Sequence, residues 1–336
     1  MPRKLNIEFG NFVCKFGKKN LLDYAEAVII PAFKSKAERK YGTTRYFFHE
    51  VGVFTVDDNS TELCIAGRIV KQTKLTREQI YDENNGIVKD VQAIETAPSA
   101  LFALILNNHK LLYVHETAFA PDFVAFKATA AKVISVRHKQ FIEEEYQRRL
   151  AAPKSGERIT KARITFENPY PSIDLIPLSS KATLEDFIGQ YRKLKSVEAK
   201  LIGTNSEIDL NGLFAGIRGT MDDIGSKSTI IRHQNSDGLN AQSALEQLNA
   251  AAGQGNTYIN LNGEDLNGDN LKGDNNNFKL RVPITDISKK IRAAAKEMYD
   301  TFIGVKDSGL LVITEQDDES NRKVQALIVK GVADEQ

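Results

Sequence analysis

Two pairs of β-rich runs, each pair broken by a short polar turn, constrain this chain more than any other feature. The runs RYFFHEVGVFTV (45–56) and ELCIAGRIVKQ (62–72) flank Asp57–Thr61, and ALFALILNNHKLLYVHE (100–116) is interrupted at Asn107, Asn108 and His109. Runs rich in β-branched and aromatic residues around such turns predict antiparallel hairpins. Helical periods stand between and after them. Leu21, Leu22, Ala25, Val28 and Ile29 mark the apolar face of a helix over Leu21–Phe33, whose end Pro31 should bend or shorten. Phe123, Phe126, Ala130, Val133, Ile134 and Phe141 recur at three-, four- and seven-residue spacings, predicting a helix of about 20–28 residues after Pro121.

The small, polar segment AAPKSGER (151–158) reads as a linker, which divides the chain into an N-terminal domain, 1–150, and a C-terminal domain, 159–336. Beyond it, KARITFENPYPSIDLIPL predicts two strands broken at Asn168, Pro169 and Pro171. Leu184, Phe187, Ile188, Tyr191 and Leu194 predict a helix entered at Thr183, and VEAKLIG and STIIRHQ read as strands around a helix near 209–224. A short helix carries Ala241, Ala244, Leu245 and Leu248. TYINLNG and FKLRVPI then read as a ribbon, and a helix begins near Asp286 with Ile287, Ile291, Ala294, Met298 and Phe302 on its buried face. LLVITEQ and RKVQALIVK around Asp317–Asn321 predict a final hairpin. Without regular β-α-β alternation, the expected class is α+β with mostly antiparallel sheets, and a ferredoxin-like arrangement suits either half.

The 336 residues contain no apolar run near the ~18 needed to span a membrane and no secretory leader, so a cytoplasmic protein is expected. The two cysteines, Cys14 and Cys64, each sit within an apolar strand-like run and read as buried thiols. Several chemistries lack their motifs. There is no Walker loop and no nucleophile elbow. His49-Glu50 and His115-Glu116 begin like a zinc-protease motif, but Val53 and Phe119 stand where the second histidine belongs. In GEDLNGDNLKGDNNN, Asn270 and Asn276 replace the glycine and glutamate that a calcium loop requires. No cofactor or metal site is expected, and catalysis is not the leading reading.

Charge is uneven although the net is only +1. Residues 1–45 carry ten Lys/Arg against four carboxylates, residues 127–163 repeat that ratio, and the remainder is acidic. Lys34, Lys36, Arg39, Lys40 and Arg45 are interleaved with Tyr41, Tyr46, Phe47 and Phe48, while Arg137, Lys139, Arg148 and Arg149 follow the long helix. Cations beside aromatic rings suit phosphate pairing and base stacking. The leading expectation is a non-catalytic DNA- or RNA-binding sensor or adaptor, with a prokaryotic anti-phage assembly as a setting that no residue specifies. The first alternative is a protein-interaction or self-assembly module, in which a homo-oligomer or protein partner joins basic segments to acidic ones such as Asp265, Asp269, Asp274 and Asp317–Glu319. The second is a metal-dependent nuclease using His49, Glu50, His115 and Glu116.

Overall fold

The computed structural model describes residues 4–56, 61–153, 158–204, 212–311, 313 and 318–334. Strand β1 (Leu5–Phe16) and the short β2 (Lys19–Asn20) lead into a helical stretch that is 3-10 over Leu21–Tyr24, π over Ala25–Ile29 and α over Ile30–Lys34, here α1. Five strands of the first half follow, β3 (Glu38–Tyr41), β4 (Thr44–Thr55), β5 (Leu63–Asp82), β6 (Gly86–Thr96) and β7 (Ser99–Ile105). Then come β8 (Lys110–His115), α2 (Phe123–Ala151), α3 (Lys161–Glu167), β9 (Ser172–Pro177), α4 (Lys181–Ile188), β10 (Tyr191–Ile202) and α5 (Gly212–Ile224). The remainder is β11 (Ser228–Gln234), α6 (Ala241–Gln254), β12 (Thr257–Asp265), β13 (Asn270–Asp274), β14 (Arg281–Ile284), α7 (Ile291–Asp307) and α8 (Asp318–Val329).

The fold is α+β, built on two antiparallel sheets. The larger runs β14-β1-β8-β7-β5-β4-β3, with β2 and β9 also on β1 and β6 on β5. Side chains alternate across a strand, so β1 serves two cores. Phe12, Cys14 and Phe16 face the 21–34 helical stretch, α2 and α8, whereas Ile7 and Phe9 face α7, where the Phe9 and Phe302 rings lie 6.0 Å apart. Phe33, Phe48, Phe102 and Phe126 form the aromatic centre of the first core. Cys14 and Cys64 are buried free thiols in the two different cores. Burial pushes the Cys64 thiol up to about 12 and the Cys14 thiol higher still.

The expected linker does not separate the sheets. Both β9 and β14, which lie beyond it, pair with β1 along the edge opposite β8. Leu178 marks where the chain leaves this sheet and Leu280 where it returns, since Leu178 donates to the Phe9 carbonyl and Leu280 donates to that of Leu178. Between these points runs the second sheet, β11-β10-β12-β13, cored with α4, α5 and α6 by Phe187, Leu201, Phe214, Leu248 and Phe278.

The hairpins at 45–72 and 100–116 form as their sequences predict. His109, with φ of 56°, takes the left-handed turn position. The helices expected after Pro121 and around Ala241–Leu248 form as Phe123–Ala151 and Ala241–Gln254, and Asp122 and Asn240 cap them by accepting from Ala125 and Ser243. Four local expectations are corrected. KARITFE is helix α3, capped by Thr160. The helix with Leu184 ends at Ile188, and Tyr191 and Leu194 belong to β10. The partner of TYINLNG is β13, while FKLRVPI contributes β14 to the first sheet. RKVQALIVK is part of α8, whose Val324 and Leu327 share one buried face at helical spacing. Residues 57–60, 154–157, 209–211 and 314–317, which include parts of the expected turn, linker, helix start and final hairpin, lie outside the described residues. Among the described residues no helix is long and apolar enough to cross a membrane.

Candidate nucleic-acid interface

Strand β3 is the outermost strand of the first sheet and turns into β4 through Gly42, whose φ of 58° suits a glycine. Arg39 lies opposite Tyr46, which in turn lies opposite Lys71 on β5. Directly opposed residues share a face, so Arg39, Tyr46 and Lys71 form a row across three strands. The next row on that face is Tyr41, Thr44 and Thr73, with the two threonine hydroxyls 2.8 Å apart and Tyr41 73% exposed.

Arg39 is held in place before any ligand arrives. Its guanidinium lies 4.2 Å from the centroid of the Tyr46 ring, and its Nε donates to the Thr129 hydroxyl at 3.3 Å. Thr129 donates in turn to the Ala125 carbonyl within α2 at 2.7 Å. A guanidinium fixed this way presents its remaining N–H groups in a planar fork suited to phosphate oxygens. Lys40 points to the opposite face of the same strand, in register with Arg45.

Structure sorts the nine candidate cations by what already neutralises them. Lys34 pairs with Asp334, and Arg45 makes a two-pronged contact with Glu38. Arg137 is forked onto Glu144 and also donates to the Ala27 carbonyl. Arg148 and Arg149 converge on Glu145, with Arg149 also reaching Glu167. The hydrogen bonds from these two arginines outweigh the partial burial of Glu145 and hold it at about 2. Among the described residues Lys36, Arg39, Lys40, Lys139 and Lys71 form no ion pair with a carboxylate, although Lys40 lies near enough to Glu38 to help lower that carboxyl. The basic half of α2 is thus largely compensated on its own surface, and uncompensated charge concentrates at the sheet edge. Lys71 escapes a reading by sequence clusters because it joins Arg39 only through strand register.

The histidine–carboxylate quartet is occupied differently. Arg68 contacts both Glu50 and Glu116, donates to the Lys289 carbonyl, and so places a cation between the two carboxylates. Ser99 also donates to Glu116 at 2.7 Å. His115 faces Glu8, 3.6 Å away, rather than His49. Among the described residues no three His, Cys, Asp or Glu side chains converge as metal ligands.

Two further polar clusters span distances that local sequence cannot reveal. The Glu8 side chain, 6% exposed, accepts from Lys279 at 2.6 Å and from Arg281 at 3.0 Å, beside His115. Burial alone would raise this carboxyl, but contacts with His115, Lys279 and Arg281 prevail and hold it at about 2. Lys127 donates to Asp174 at 2.9 Å and to the Tyr258 hydroxyl at 3.0 Å, and Tyr258 donates to Asp174 at 2.8 Å. That triad ties α2 and β9 of the first sheet to β12 of the second. Burial pushes the Tyr258 hydroxyl up to about 12. Both clusters are closed on themselves and read as joints of the fold. Comparison with known proteins found no matching family model and no curated protein that matches this sequence.

Proposed function

We propose that the chain is a nucleic-acid-binding protein that contacts phosphates through the β3–β4 edge, with Lys36, Arg39, Lys40 and Lys71 as the contacting cations and Tyr41 as a surface for base stacking. The carrying observation is the fixed Arg39 fork beside an exposed tyrosine, at an edge where Arg39, Lys40 and Lys71 form no ion pair among the described residues while Arg45 is held by Glu38. Exposed aromatic rings among lysines and arginines bind single strands by stacking and charge together. Arg39 and Lys40 face opposite sides of an edge strand, which suits a backbone that passes around the hairpin better than a flat duplex surface. Lys139, on the exposed side of α2, is a secondary contact. The compensated group, Lys34, Arg45, Arg137, Arg148 and Arg149, contributes less because each would first have to leave a carboxylate.

The test is fluorescence anisotropy of labelled single- and double-stranded DNA and RNA with the intact protein at low salt. Binding that weakens steeply with added salt and is lost on Lys36→Glu/Arg39→Glu/Lys40→Glu supports the reading. Absence of binding to all four probes, or binding unchanged in that variant, refutes it.

A further inference from the structure

Beyond the body of the first sheet, β5 and β6 continue as a two-stranded ribbon from Thr73 to Thr96, closed by the Asp82–Gly86 turn. Asp82 accepts from the backbone N–H groups of Asn84 and Asn85, which fixes that turn. Among the described residues β6 pairs with β5 alone, so its outer edge carries unpaired backbone donors and acceptors. An isolated two-stranded ribbon is marginal in water, and this one also exposes Leu75, Ile80, Tyr81, Ile87, Val91 and Ile94. Ile87 and Ile94 are 69% and 66% exposed.

Register gives these residues an order. Leu75 opposes Ile94, Tyr81 opposes Ile87, and a register shift between Arg77 and Gln79 places an extra residue in β6. The extra residue changes the alternation, so both apolar pairs fall on one face, one near the base and one near the tip.

We infer that two copies of this chain join through antiparallel pairing of their β6 edges, forming a four-stranded β5-β6-β6-β5 sheet across a twofold axis between Asp90 and Val91. In that register Ile94 of one copy lies opposite Ile87 of the other, extending each exposed pair into a cluster of Leu75, Ile94, Ile87 and Tyr81. Gln92 meets Lys89, Ala93 meets Val88 and Glu95 meets Gly86, so no like charges are opposed. The charges favour the same antiparallel arrangement. Within each ribbon Lys74 pairs with Glu95 and Arg77 with Asp90, so the charge left over is acidic at the tip, Asp82 and Glu83 against Lys89, and basic at the base, where Lys71 stands. Antiparallel pairing brings each acidic tip to the partner's base. Closure of the symmetry uses both β6 edges and leaves a dimer rather than a filament.

Sedimentation velocity over a range of protein concentration tests the inference, together with cysteine cross-linking. The intact chain should reach the dimer mass, and Ile94→Lys, at a solvent-exposed position, should weaken association at least tenfold while leaving the circular dichroism spectrum unchanged. Under oxidation an equal mixture of Ile87→Cys and Ile94→Cys proteins should give a cross-linked dimer, whereas each variant alone should not, because the two positions lie ~20 Å apart along β6. A monomer at every concentration, a dimer indifferent to Ile94→Lys, or cross-linking as efficient in the single variants overturns it.

Discussion

Glu8→Gln should destabilise the protein in a manner that depends on pH. Glutamine keeps the shape of the side chain but removes the counter-charge of Lys279, whose side chain is only 9% exposed, and an uncompensated buried cation is costly. The Glu8 carboxyl is lowered from an ordinary 4.5 to about 2, which corresponds to about 3 kcal/mol in favour of the folded state. Because the folded-state value is depressed, that contribution is complete above pH 4.5 and disappears as pH falls through about 2. Urea denaturation of parent and variant should therefore differ by about 3 kcal/mol at pH 7 and pH 5, with the gap falling by at least half at pH 3 and nearly closing by pH 2. A gap that stays constant over that range would assign the loss to packing and refute the electrostatic reasoning. A gap below about 1 kcal/mol at pH 7 would show that the cluster does not join β1 to β14 as described.

Substitutions at two further positions probe the second sheet and its helices. A Cβ on Gly263 would lie 2.1 Å from the Lys193 carbonyl oxygen, at the irregular pairing of β10 with β12. Gly263→Ala should cost about 1–3 kcal/mol, read as a lowered urea midpoint, and an unchanged midpoint would contradict the close approach. Asn240→Ala should cost about 1 kcal/mol by removing the α6 cap, whereas Asn240→Asp should keep it.

Much of the fold was legible wherever the signal is local. The 100–116 hairpin has two unbroken apolar runs and a turn that accommodates a positive φ at His109, and α2 has a sustained apolar stripe after an aspartate cap. Short apolar runs misled, because Val324, Leu327 and Ile328 satisfy helical spacing as well as they satisfy a strand, and tertiary packing against the first core decides. Non-local pairing was invisible. FKLRVPI looks like the partner of the preceding strand, yet Arg281 and Val282 pair with Glu8 and Ile7, about 275 residues earlier, after the excursion through the second sheet. The ribbon beyond Gln72 carries no local strand signal, because its exposed faces mix polar and apolar residues without clean alternation.

The candidate site was legible only as a set of basic segments. Composition identifies Lys34–Arg45 and Arg137–Arg149 equally, but it cannot show that Glu144, Glu145 and Glu167 compensate the helix while Lys36, Arg39 and Lys40 form no close ion pair among the described residues. Nor can it show Thr129 holding Arg39 from a helix ninety positions away.

Salt dependence of binding tests that distinction most directly. For a single-stranded probe, log K plotted against log salt should lose about two units of slope in Lys36→Ala/Arg39→Ala/Lys40→Ala, since each phosphate contact contributes about 0.7. Arg148→Ala/Arg149→Ala should retain the parent slope. The opposite pattern, with the helix arginines carrying the slope and the hairpin triple indistinguishable from parent, would contradict the assignment of the interface to the β3–β4 edge.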